Sequence, residues 1–104
     1  MTDDDKIEFA KLRADLQAAR LAANEAMSIA LSHEVDPDKA VSLARGDLRK
    51  IVDETRAKML EIATDETNRQ FGVWFAGLVG ESIESLMDQV EKRVSQLKQN
   101  RALH

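Results

Sequence analysis

The sequence predicts an all-α protein of three long antiparallel helices forming a bundle or coiled-coil-like domain, and three observations carry that expectation. Only one proline and four glycines stand among the 104 residues. The strong helix formers Ala, Leu, Glu, Lys, Arg and Gln are abundant. No segment sustains the apolar/polar alternation of a strand. The chain reads as one domain, residues 1–104, and a domain of this size buries only about 60 to 65% of its unfolded surface. A second copy is therefore expected to add to its stability.

Helix 1 is expected over about residues 4–33. Phe9, Leu12, Leu16, Ala19, Ala23, Ala26 and Ala30 follow alternating steps of three and four, an unbroken heptad seam. The four alanines predict close approach of a neighbouring helix, nearer about 8 than 10 Å between axes. Leu21, Met27, Ile29 and Leu31 lie off that seam, so neighbours are expected on two sides. His33-Glu34-Val35-Asp36-Pro37 then breaks the pattern: Asp36 can cap the next helix, and Pro37 fits its first position without losing a needed donor.

Helix 2, about 37–65, carries Val41, Ala44, Leu48, Ile51, Val52, Thr55, Met59, Ile62 and Ala63 within an arc of about 120°. Gly46 in its middle either weakens the helix by about 1 kcal/mol relative to Ala or admits a close contact. The next boundary rests on poor helix formers and on Thr67-Asn68-Arg69-Gln70, which fits a capping box. We expect a turn there, the alternative being one continuous helix of about 60 residues in an extended dimer. Helix 3 is then about 68–100. Three helices of about 45 Å close naturally into a bundle. Acidic residues Asp3, Asp4 and Asp5 open helix 1, and Lys92, Arg93, Lys98 and Arg101 crowd the end of helix 3, each complementing the local helix dipole.

The length and three-helix periodicity resemble a spectrin-type repeat. Such repeats carry a Trp in the first helix, whereas Trp74 here stands near the start of the third, so the likeness is architectural and implies no function.

The most unusual segment is Phe71–Gly80, FGVWFAGLVG, ten uncharged residues holding three of the four aromatics. It is too short to span a bilayer, which needs roughly 20 apolar residues. Gly72, Ala76 and Gly80 share the stripe later occupied by Ile83, Met87, Val90, Val94 and Leu97, where small residues let a neighbouring backbone come close. Phe71, Trp74 and Leu78 point elsewhere, onto a side that becomes polar further along, and Phe75 completes the aromatic set. That face implies a cover: another part of the chain, a second subunit, a protein partner or a membrane surface.

Other chemistry is thinly represented. Fifteen basic against nineteen acidic residues give a net charge of −4, which disfavours nucleic acid as a partner. Arg45, Arg49 and Arg56 form a stripe on helix 2 that could hold phosphate, but its place beside the apolar seam predicts pairing with acids instead, with Asp53, Asp15 and Glu25 as candidates. The absence of cysteine excludes disulfides and thiolate chemistry, and with no secretory pattern in MTDDDKIEF a cytoplasmic location is expected. His33, Glu34 and Asp36 complete no metal site at helical spacing, the terminal His104 is expected to be disordered, and Glu61, Asp65, Glu66, Glu81, Glu84 and Asp88 read as a solvated face. Without Cys, Tyr, a phosphate loop or a serine elbow, no catalysis and no cofactor are expected. The expected function is a non-catalytic module that self-associates, as a dimer, through Ala19, Ala23, Ala26 and Ala30 and the start of helix 3. A peripheral membrane module and a nucleic-acid-binding regulator are the alternatives.

Overall fold

A computed structural model describes residues 2–103; His104 lies outside it. Three helices, α1 (Asp3–Ser32), α2 (Pro37–Ile62) and α3 (Glu66–Ala102), account for nearly all of the described chain, and those residues contain no strand. Consecutive helices run antiparallel, so α1 and α3 are parallel to one another. They do not form a closed triangle. α3 is the shared helix, with α2 beside it from Gly72 to Lys98 and α1 beside its second half from Ser85 to Arg101, while α1 and α2 touch each other far less.

Each helix start has a local cause. Thr2 accepts a hydrogen bond from the backbone N–H of Asp5, and the Asp5 carboxylate accepts one from the Thr2 N–H, a capping box that the acidic run concealed. Asp36 caps α2 by accepting from the Lys39 N–H, with Pro37 in the first turn. At the second boundary the cap is Asp65, not Thr67. Its carboxylate accepts from the Asn68 N–H at 2.8 Å and also from the Asn68 side chain, so α3 begins two residues earlier than the capping-box pattern suggested.

The core sits where all three helices meet. Met87, Val90 and Val94 of α3 and Val41 of α2 are buried, and Met27, Leu31, Ala44, Leu48, Ile83 and Leu86 pack around them. Beyond this junction α2 and α3 continue as a helical hairpin packed through small residues. A Cβ at Gly72 would lie 3.7 Å from Met59, one at Gly80 would lie 3.7 Å from Val52, and Ala76 is buried between them. The small stripe is thus packing surface for α2.

α1 parts company with α3 above the junction, and residues 2–19 are all exposed. The cause is a mismatch of edges. The side of α1 that docks on α3 consists of Arg20, Asn24, Met27, Ser28 and Leu31, and steps of three and four carry it back to Gln17, Arg13, Ala10 and Lys6. The matching side of α3, Ser85, Leu86 and Gln89, leads back to Ser82, Val79, Phe75 and Phe71. A polar edge thus faces an apolar one, and burying Lys6, Arg13 and Gln17 there would strand their polar groups. The result is a flat, branched molecule with principal extents of 56, 38 and 14 Å.

Gly46 has nothing within 4 Å of where a Cβ would lie, so no close contact requires it. Gly46→Ala should raise stability by about 0.5–1 kcal/mol, read as a higher urea midpoint at unchanged slope. A loss of stability would mean that the glycine serves a contact made outside the single chain.

Candidate interaction surface

Two apolar surfaces remain open. The first is the heptad seam of α1. Phe9, Leu12 and Leu16 are more than half exposed, and Ala19, Ala23, Ala26 and Ala30 are all exposed. The close helix approach expected along these alanines is therefore not made within the chain. Beyond the junction with α2, α1 has only α3 beside it, and it meets that helix with a different face, through Met27 and Leu31 and a row of polar contacts. Arg20 donates to the Ser85 hydroxyl at 3.0 Å, Asn24 to Gln89 at 3.4 Å, and Arg93 to both oxygens of Glu25. Arg101 donates to the Ser32 carbonyl at 2.6 Å, supplying the C-terminus of α1 with the positive charge that its own last turn lacks.

The second surface is the aromatic start of α3. Phe71, Trp74, Phe75 and Leu78 are all exposed, Trp74 by 60%. Phe71 lies between Trp74, at a centroid distance of 5.7 Å, and Phe75, at 6.0 Å. Such contacts between i, i+3 and i, i+4 neighbours align the rings along one side of the helix without removing them from water. Beside Phe75 runs a narrow apolar cleft between α2 and α3, floored by Ala76 and bordered by Ile51, Val52, Met59 and Val79. Ile51 and Thr55, expected on the buried arc of α2, are exposed on its rim because no third helix lies over them.

The charged residues near the junction answer one another. Arg45, only 15% exposed in its side chain, reaches Glu84 at 2.6 Å, Asp88 at 2.9 Å and Glu91 at 3.2 Å, and Arg49 grips the same Glu84. Arg45 and Arg49 of the α2 stripe therefore pair with α3, and not with Asp53, Asp15 or Glu25. Glu84 and Asp88 are correspondingly not a free solvated face. Arg56 makes no ion pair among the described residues. No group of three His, Asp or Glu among the described residues could hold a metal ion, and no helix is long and apolar enough to cross a membrane.

Hydrogen bonds from Arg49 and Arg45 hold the Glu84 carboxyl down to about 2 from its ordinary 4.5. Arg93 lowers Glu25 in the same direction. A carboxyl with a folded pKa below its unfolded one stabilises the fold above the unfolded value, and that contribution fades as pH falls from about 4.5 to about 2. Thermal midpoints should therefore drop across this window, and Glu84→Gln should make the drop shallower, with Glu25 retaining part of it. An acid slope as steep in Glu84→Gln as in the parent chain would assign it to other carboxylates.

Against this geometry, no known protein family, curated protein or solved structure matches the chain. Function therefore has to be read from the two open surfaces. The excess of exposed area is large. A compact monomer of 11.6 kDa is expected to expose about 5,800 Å², whereas this chain exposes 7945 Å². Its radius of gyration, 17.7 Å, compares with about 13 Å for a compact domain of this length.

Proposed function

We infer that the chain is a non-catalytic interaction module that self-associates as a dimer through the α1 seam and the aromatic start of α3. The observation that carries this reading is the exposed area: an excess of about 2,000 Å² per chain is of the size that obligate interfaces bury, and the exposed large apolar side chains include a heptad seam and an aromatic row. Patches of this kind on a lone chain mark places where another molecule sits. In this reading the work is done by burial, no cofactor takes part, and a reducing cytoplasm suits a chain indifferent to redox state.

Sedimentation velocity across a dilution series from about 100 µM downward tests it, with the single Trp as an internal reporter. A dimer that dissociates as Trp74 emission shifts to the red supports the aromatic start of α3 as interface, and one that dissociates with unchanged emission points to the α1 seam alone. A monomer at every concentration overturns the self-association.

A peripheral membrane role for Phe71, Trp74, Phe75 and Leu78 is the second reading, favoured by their shared exposure on one side of α3. It requires co-sedimentation with anionic liposomes that Trp74→Glu abolishes, and liposomes that leave the parent chain in the supernatant would eliminate it. The nucleic-acid alternative draws no support from α2, where Glu84, Asp88 and Glu91 already occupy Arg45 and Arg49.

A further inference from the structure

We propose that α1 pairs with α1 of a second copy in antiparallel fashion, about a two-fold axis passing beside Ala19 and Arg20. The inference rests on the self-association reading and specifies its geometry.

The seam is graded, with bulky residues in its first half and alanines in its second. Running two seams in opposite directions about that axis sets Phe9 against Ala30, Leu12 against Ala26, Leu16 against Ala23 and Ala19 against itself. Every layer then pairs a large side chain with a small one or two small ones, so the helices keep a nearly constant, close separation. Running them in parallel would set Phe9 on Phe9 at one end and Ala30 on Ala30 at the other, forcing the axes apart where the side chains are large.

The fold supplies a second reason. Residues 3–19 project from the junction without support, whereas Ala23, Ala26 and Ala30 lie on the half of α1 that Met27, Leu31 and Ser28 anchor against α3. The antiparallel pair lays each unsupported segment on the anchored half of its partner; a parallel pair leaves two unsupported segments leaning on each other. Charge on the flanks is divided. Antiparallel pairing brings Lys6 near Glu34 of the second copy but also Arg20 near its own counterpart, and parallel pairing would bring Glu8 near Arg13 and Asp15 near Arg20. Arg20 is already engaged by Ser85, and exposed pairs of this kind contribute little, so packing decides.

The parent chain contains no cysteine, so engineered pairs report without background. In the full chain, oxidised Leu12→Cys/Ala26→Cys should run as a covalent dimer, because facing positions meet the short Cα separation a disulfide needs. Ala26→Cys alone should stay uncrosslinked, since its two copies would stand about 20 Å apart along the axis. Ala19→Cys, which leaves every large seam residue intact, should crosslink to itself.

Efficient crosslinking of Ala26→Cys to itself would overturn the antiparallel direction in favour of the parallel one. A parent chain that sediments as a dimer while none of the three variants crosslinks would remove α1 from the interface and leave the aromatic row of α3. A parent chain that is monomeric throughout would mean that the self-association reading has failed, and the α1 pairing with it.

Discussion

Met87→Ala should lower stability by about 2–5 kcal/mol, the largest effect expected of any single truncation in this chain. Met87 is fully buried at the meeting point of the three helices. Two causes add: the transfer energy of the lost side-chain atoms, and the cavity left among Met27, Leu31, Val41 and Val90, which cannot all collapse into it. In a domain of about 100 residues each kcal/mol moves the melting midpoint by about 4–8 °C, so a fall of more than 10 °C is expected. Met87→Leu, close in volume, should cost less than about 1.5 kcal/mol. Circular dichroism with urea and heat reads both. If Met87→Ala melts within a degree or two of the parent, the junction is not the core of the folded protein and the branched arrangement of helices is wrong.

Leu16→Glu should leave the helices folded and abolish the dimer. The side chain is 62% exposed within the single chain, and glutamate is as good a helix former as leucine, so nothing in the isolated fold opposes the change. In a symmetric pair the substitution occurs twice. Losing about 1.5–3 kcal/mol of burial per leucine, and placing a carboxylate in each gap, weakens association by at least a hundredfold. Sedimentation should give a monomer where the parent is a dimer, with ellipticity lowered by no more than the fraying of residues 3–19. An unchanged dimer would exclude the α1 seam, and a monomer that has lost helicity well beyond residues 3–19 would show that the seam serves folding within the chain.

Different features of this molecule were legible in the sequence for different reasons. Asp36-Pro37 could be read because capping is decided within four residues, and the same locality explains why Asp65 was missed: Asp65 and Thr67 both fit the start of a helix, and only backbone geometry separates them. The stripe of Gly72, Ala76 and Gly80 was visible as periodicity, and α2 packs on it. The α1 seam was equally visible, but periodicity gives a face and not its neighbour, so its lack of an intramolecular partner could not be foreseen. Least legible was the clasp of Glu84 by Arg45 and Arg49. Those residues lie about 35–39 positions apart, and their meeting depends on how far one helix slides along the other, a quantity that no window of local pattern contains. The edge mismatch that frees α1 was in principle readable from Lys6, Arg13 and Gln17 against Phe71 and Phe75, once the two helices are known to be parallel neighbours.

Residues 3–19, standing clear of the rest, have a thermodynamic consequence. A helix without a tertiary neighbour is a tethered peptide: its only support is its Thr2 cap, its local propensity and contacts such as Arg13 over the ring of Phe9, and its length is close to the roughly 12–15 residues below which isolated helices are marginal in water. Its amides should trade hydrogen for deuterium on the schedule of a short peptide while those around Met87 wait for global opening. Where two copies pair, ordering this segment becomes part of the association itself. Helix content in this protein is then set by concentration as well as by sequence.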